Sequence, residues 1–140
     1  MKFSFRYQFI FSLTLLILLS GVVNYLLFQP GIILFKWIGI GVKPSVIKNN
    51  GIRLFFTGYF SDIAWCFSLC LIVFALAELK FIKPSGKILL LSLPFITEVL
   101  QYAGFIKGTF DWYDILTYVI VIALFVLLYP KLKTTVYEKI

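Results

Sequence analysis

Apolar residues along this chain gather into long runs with short polar gaps between them, and the runs have the length of a lipid bilayer. From Phe9 to Phe28 the polar positions are Ser12, Thr14, Ser20 and Asn24. Twenty residues at about 1.5 Å per residue cross a hydrocarbon core of about 30 Å, so this run predicts a first membrane helix. A second span opens at Ser61-Asp62, runs through Ile63–Ala77 and closes on Glu78, Lys80 and Lys83. Pro84-Ser85-Gly86-Lys87 reads as a tight polar turn. A third span extends from Ile88 to Phe105, with Pro94 placed to kink it just before Glu98. The fourth, Ile115–Tyr129, is expected to stop at Pro130, before a basic, polar tail.

The connection between the first two spans is irregular. Gln29-Pro30-Gly31 breaks the first helix, and Ile32–Val42 is apolar but too short to cross a bilayer, with Lys36 in its middle. It reads as an interfacial or re-entrant piece. Lys43–Arg53 is the most polar stretch and predicts a solvent-facing loop. The aromatic stretch Leu54–Phe60 fits the headgroup belt. The expected fold is therefore all-α and integral to the membrane. It is a single four-helix transmembrane bundle over residues 1–140, with spans of about 9–28, 62–78, 88–105 and 115–129 and a short interfacial or re-entrant segment between helices one and two. A signal peptide is the rival reading of the first run. That run is too long for a signal h-region, and no A-x-A-like site follows, so it is expected to stay as helix one.

Composition agrees with this picture: 61% of the residues are hydrophobic, against roughly 45–50% in ordinary globular chains. The net charge of +7 does not point to nucleic acid, because the Lys and Arg residues sit in the gaps between apolar runs. There they hold helices against anionic headgroups, which makes membrane lipid the expected partner. With an even number of spans, Lys2, Arg6, Lys80, Lys83, Lys87, Lys131, Lys133 and Lys139 fall on one side. Lys36, Lys43, Lys48, Arg53 and Lys107 fall on the other. The eight-to-five bias places both termini in the cytoplasm of a bacterial inner membrane. Histidine is absent, which removes the common zinc ligands and Ser-His-Asp catalysis. Cys66 and Cys70 lie one helical turn apart and read as small buried hydrophobes.

Polar chemistry is scarce, and Ile96–Asp114 holds most of it. Glu98, Asp111 and Asp114 are three of only six acidic residues. Glu98 sits inside an apolar run, where an ionisable group costs a few kcal/mol or more and is a functional candidate by default. Gln101 shares its helix face and is expected to hydrogen-bond Glu98 or a neighbouring helix. The topology brings Glu98, Asp111, Asp114 and Asp62 to the outer half of one bundle. Helix capping competes with function for Asp62, Asp111 and Asp114, because carboxylates satisfy the free N–H groups of helix starts. Glu98, mid-helix, has no such explanation. Trp65, Trp112 and Tyr113 fit an interfacial belt, with ligand stacking as the other reading.

Two segments together resemble the VanZ-like family of small bacterial integral membrane proteins. Tyr59-Phe-Ser-Asp62-Ile-Ala-Trp65 resembles the family's Tyr-x-x-Asp-x-x-Trp entry to a span. Glu98-x-x-Gln101 followed by Gly108-Thr-Phe-Asp111-x-x-Asp114 resembles its Glu-x-x-Gln helix and Phe-Asp-x-x-Asp turn. Lys107 stands close to where many relatives carry an arginine, and Tyr118 where Asn is frequent. The resemblance implies a cell-envelope role linked to teicoplanin-type antibiotic resistance, without an assigned reaction and with no cofactor. The implied site is an outward-facing acidic pocket of Glu98, Gln101, Asp111, Asp114, Asp62, Lys107 and Trp65, binding a polar envelope ligand, lipid-linked or glycopeptide. Two other classes compete with it. One is a carboxylate enzyme using a divalent cation on a lipid-linked substrate. The other is a small proton-coupled carrier, which at this size implies a homo-oligomer.

Overall fold

The computed structural model describes residues 5–28, 39, 50–106 and 110–137. The described chain is all-helical. Helix α1 spans Phe5–Phe28, and a short α2, Asn50–Leu54, passes through a π-helical turn, Phe55–Tyr59, directly into α3, Phe60–Glu78. Helix α4 covers Pro84–Tyr102 and α5 covers Trp112–Tyr137. Three stretches are long and apolar enough to cross a membrane: Tyr7–Tyr25, Gly51–Glu78 and Trp112–Pro130. The protein is thus an all-α membrane bundle of four long helices. Helix α4 is nineteen residues long but falls outside that apolar group, since Lys87, Ser92, Pro94, Thr97 and Glu98 interrupt it.

The membrane rule that every backbone polar group needs an internal partner explains how polar residues survive in these helices. Thr14 Oγ1 donates to the Ile10 carbonyl at 2.8 Å and Ser20 Oγ to that of Ile17 at 2.7 Å. Ser92 and Thr97 bond back to Leu89 and Pro94 in the same way, at 2.8 and 2.7 Å. Each hydroxyl is satisfied within its own helix.

The structure corrects several expected helix ends. The expected loop up to Arg53 is already helical from Asn50, and the second span does not open at Ser61-Asp62. The Phe60 N–H reaches back five residues to the Phe55 carbonyl, so the extra residue of the π turn is absorbed without breaking the helix. Pro84-Ser85-Gly86-Lys87 is the first turn of α4, with Pro84 at a position that has no use for an N–H. The reversal occurs earlier, where Lys80 takes a positive φ of 60°. Pro130 does not end the last helix, which continues to Tyr137. A proline removes one hydrogen bond of the helix, a loss the chain accepts at the end of its apolar stretch without stopping there. The expected interfacial or re-entrant segment lies outside the described residues, apart from Gly39.

Helix α3 is the hub. Cys70, Leu71 and Phe74 of α3 meet Phe125 of α5, with Ile10 and Ile17 of α1 and Leu91 of α4 against them. Phe125 is 1% exposed, and its ring centroid lies 5.0 Å from that of Phe74 and 5.5 Å from that of Phe67. Nearer the other end, Cys66 meets Tyr118 and Val121. Helix α1 packs along α3, where Gly21 lets Trp65 and Ala64 approach. A Cβ on Gly21 would stand 3.3 Å from Trp65 Nε1. Both cysteines are free and buried, as expected of small hydrophobes.

Candidate functional site

Helix α4 touches α3 and, less closely, α5, while α1 packs most closely on α3. The space left between α1 and α4 is a cleft of about 410 Å³. Tyr25 of α1, Asp62, Trp65, Cys66 and Leu69 of α3, Leu93, Pro94 and Thr97 of α4 and Tyr118 of α5 line it. All four long helices therefore contribute a wall.

Asp62 is the charged group in this cleft. Because α2, the π turn and α3 are continuous, Asp62 lies well inside a helix and caps nothing, which removes the capping explanation. At about 1.5 Å per residue it is about 18 Å from the Asn50 end and about 24 Å from the Glu78 end, well inside the apolar Gly51–Glu78 stretch. Its Oδ1 accepts from the Tyr118 hydroxyl at 3.5 Å. The groups acting on it electrostatically are Asp114, Glu98, Asp111 and Tyr118, with no Lys or Arg among the described residues. Asp114 in turn feels Glu98 and Asp111. Of the four acids, Asp62 alone lines the cleft.

They do not play equal parts. Asp111 is the N-cap of α5: its Oδ1 accepts from the Tyr113 N–H at 2.9 Å, and its carbonyl accepts from the Ile115 N–H at 3.5 Å. Capping of α5 therefore accounts for Asp111. Asp114 follows in the first turn, half-buried, and is not the cap. There it also gains from the helix dipole. Glu98 is 3% exposed and is the one buried side chain of α4. Its Oε2 accepts from the Asp111 backbone N–H at 3.4 Å. Glu98 thus links α4 to the start of α5 and stands behind the cleft, not on its wall.

Gln101 is half-buried and, among the described residues, makes no hydrogen bond to Glu98, one of the two partners expected of it. Gly104, at φ 74°, closes α4 with hydrogen bonds from its own N–H to Gln101 and from the Phe105 N–H to Leu100. Lys107 lies outside the described residues. Trp65 is half exposed and lines the cleft, whereas Trp112 and Tyr113 are exposed on the outside of α5.

Sequence reasoning missed Tyr118 and Tyr25 as site residues. Tyr118 carried a readable signal: it stands four residues after Asp114 and seven after Asp111, on one face of a helix. Tyr25 carried none, since its place depends on how α1 lies on α3. The adjacent Asn24 is buried. It donates to the Phe56 carbonyl at 2.7 Å and to Ser61 Oγ at 2.8 Å, tying α1 to the π turn just ahead of Asp62.

No family model matches the chain, and neither curated proteins nor solved structures show significant similarity to it.

Proposed function

We propose that this is a VanZ-like cell-envelope protein of the bacterial inner membrane, with both termini cytoplasmic. Its Asp62 cleft, backed by Glu98 and Asp114, binds a polar envelope ligand or a glycopeptide-type antibiotic. One observation carries the reading. A carboxylate deep in a membrane helix, with no capping duty and no cationic partner among the described residues, lines a cleft built by four helices. Intramembrane acids are costly to insert, and one that faces a cavity marks a ligand path more often than a structural need. The resemblance of the Asp62–Trp65 and Glu98–Asp114 motifs to the family supports the envelope context, and the basic-residue bias supports the orientation.

The enzymatic alternative draws less support. Among the described residues, no three Asp, Glu, Cys or His side chains are gathered as a metal ion would require. The reading is tested by expressing wild type and Asp62→Asn in a glycopeptide-sensitive bacterium exposed to a teicoplanin-type compound. Wild type should raise the tolerated concentration, and Asp62→Asn, at equal membrane abundance, should return it to the vector level. Equal tolerance in wild type and variant would remove Asp62 from any such role.

A further inference from the structure

The cleft's own chemistry narrows its ligand beyond a polar envelope molecule. We infer that it takes the ammonium group of a cationic membrane amphiphile, seated on Asp62 between Trp65, Tyr118 and Tyr25, with the ligand's chain lying along Leu93 and Pro94. This rests on the reading of the cleft as a ligand site and adds the ligand class.

Three observations converge on that class. The first is charge. Further acids act on Asp62 and, among the described residues, no Lys or Arg does, so the formal charges described near it attract an incoming cation and repel an anionic headgroup.

The second is the wall. Three aromatic side chains stand around one carboxylate, the arrangement in which ring faces and a counter-ion together replace the hydration of an ammonium ion. The Asp62 carboxylate already has a donor in the Tyr118 hydroxyl, but at 3.5 Å that contact is long and leaves acceptor capacity.

The third is size and depth. About 410 Å³ suits a headgroup and a few carbons, not a whole lipid, so the remainder of the ligand has to lie outside the cleft. Leu93 and Pro94 of α4 line the cleft, and Leu93 is exposed, offering an apolar surface for a chain that leaves it. A free small cation would find the carboxylate but would leave those apolar walls unused. An amphiphile uses both.

The test uses the full chain in maltoside detergent, carrying Trp37→Phe and Trp112→Phe so that Trp65 on the cleft wall is the remaining indole. Dodecyltrimethylammonium should shift its emission saturably, and Asp62→Asn should weaken that binding by about tenfold or more, as expected for loss of a charge-assisted contact. Ile96→Ala, exposed on α4 and outside the cleft lining, should retain binding and serves as the folding control alongside a thermal melt. Tetramethylammonium, lacking a chain, should bind far more weakly, and dodecanoate should not compete. Equal binding to wild type and Asp62→Asn, or equal strength for dodecanoate, would overturn the inference. Mass spectrometry of the lipids retained on purified wild type and Asp62→Asn separates this failure from that of the underlying reading. An amine-bearing lipid lost with Asp62 supports both. A neutral or anionic lipid lost with Asp62 keeps the ligand site but overturns the cationic class. No difference in any lipid class overturns both.

Discussion

Helices α3 and α4 are each nineteen residues long, and they are held in place by opposite means. Helix α3 buries nine side chains, all small or apolar: Ser61, Ala64, Cys66, Ser68, Cys70, Leu71, Val73, Phe74 and Ala75. Helix α4 buries Glu98 alone. In lipid there is little hydrophobic gain from bringing two apolar helices together, so association rests on close packing and on polar contacts. Helix α3 uses the first, with small residues that let α1 and α5 approach. Helix α4 adds the second, with one carboxylate bonded to the backbone at the start of α5, to the half-buried Leu91 and Phe95 that pack on α3 and α5. A helix that buries so few side chains fits the wall of a cleft better than the centre of a core.

The largest test of this contrast is the α3–α5 seam. Phe125→Ala should cost about 3 kcal/mol, the low end for Phe→Ala, because lost packing and not water transfer sets the penalty in a membrane. Ile96→Ala, on the exposed side of α4, should stay within about 0.5 kcal/mol. Denaturation in mixed detergent micelles measures both, and comparable losses would erase the distinction between the two helices.

A smaller effect is expected where α1 meets α3. Gly21→Val places branched carbons where the Cβ alone would be 3.3 Å from Trp65 Nε1. Overpacking of this kind costs about 1–3 kcal/mol, and here it should also displace Trp65 and alter its emission. An unchanged melt with an unchanged spectrum would show that the α1–α3 contact is looser than the structure places it.

The smallest effect bears on α4 itself. Asp111→Asn keeps a good capping residue, so alone it should change stability by a few tenths of a kcal/mol. Glu98→Gln keeps an acceptor for the Asp111 N–H. If the acids act on one another as a group, combining the two should depart from additivity by more than about 0.5 kcal/mol. Strict additivity would reduce Glu98 to a tether for α4 and Asp111 to a cap.

The helices were legible because apolar runs of bilayer length admit few other solutions, and Phe9–Phe28 and Ile115–Tyr129 are both helical throughout. Their ends were harder to read. Pro130 and the polar stretch Asn50–Arg53 carry the usual signals of a boundary, yet both lie within helix. Those signals are local preferences, and an apolar helix that is already formed extends past them for a turn or two at either end.

The amino-acid sequence by itself determined the membrane architecture and the scarcity of its polar chemistry. Bilayer thickness sets helix length, and the cost of a buried charge singles out Glu98 without any knowledge of its neighbours. Only the tertiary structure decided what each acid does. Asp111 caps α5, and Glu98 ties α4 to that cap. Asp62 proved to lie mid-helix and to face Tyr118 across 56 positions of chain. Nothing local distinguishes a carboxylate that caps its own helix from one that faces a cleft. The difference lies in which neighbouring helix arrives beside it, and that is settled by packing at Gly21, Phe74 and Phe125, residues that carry none of the chemistry.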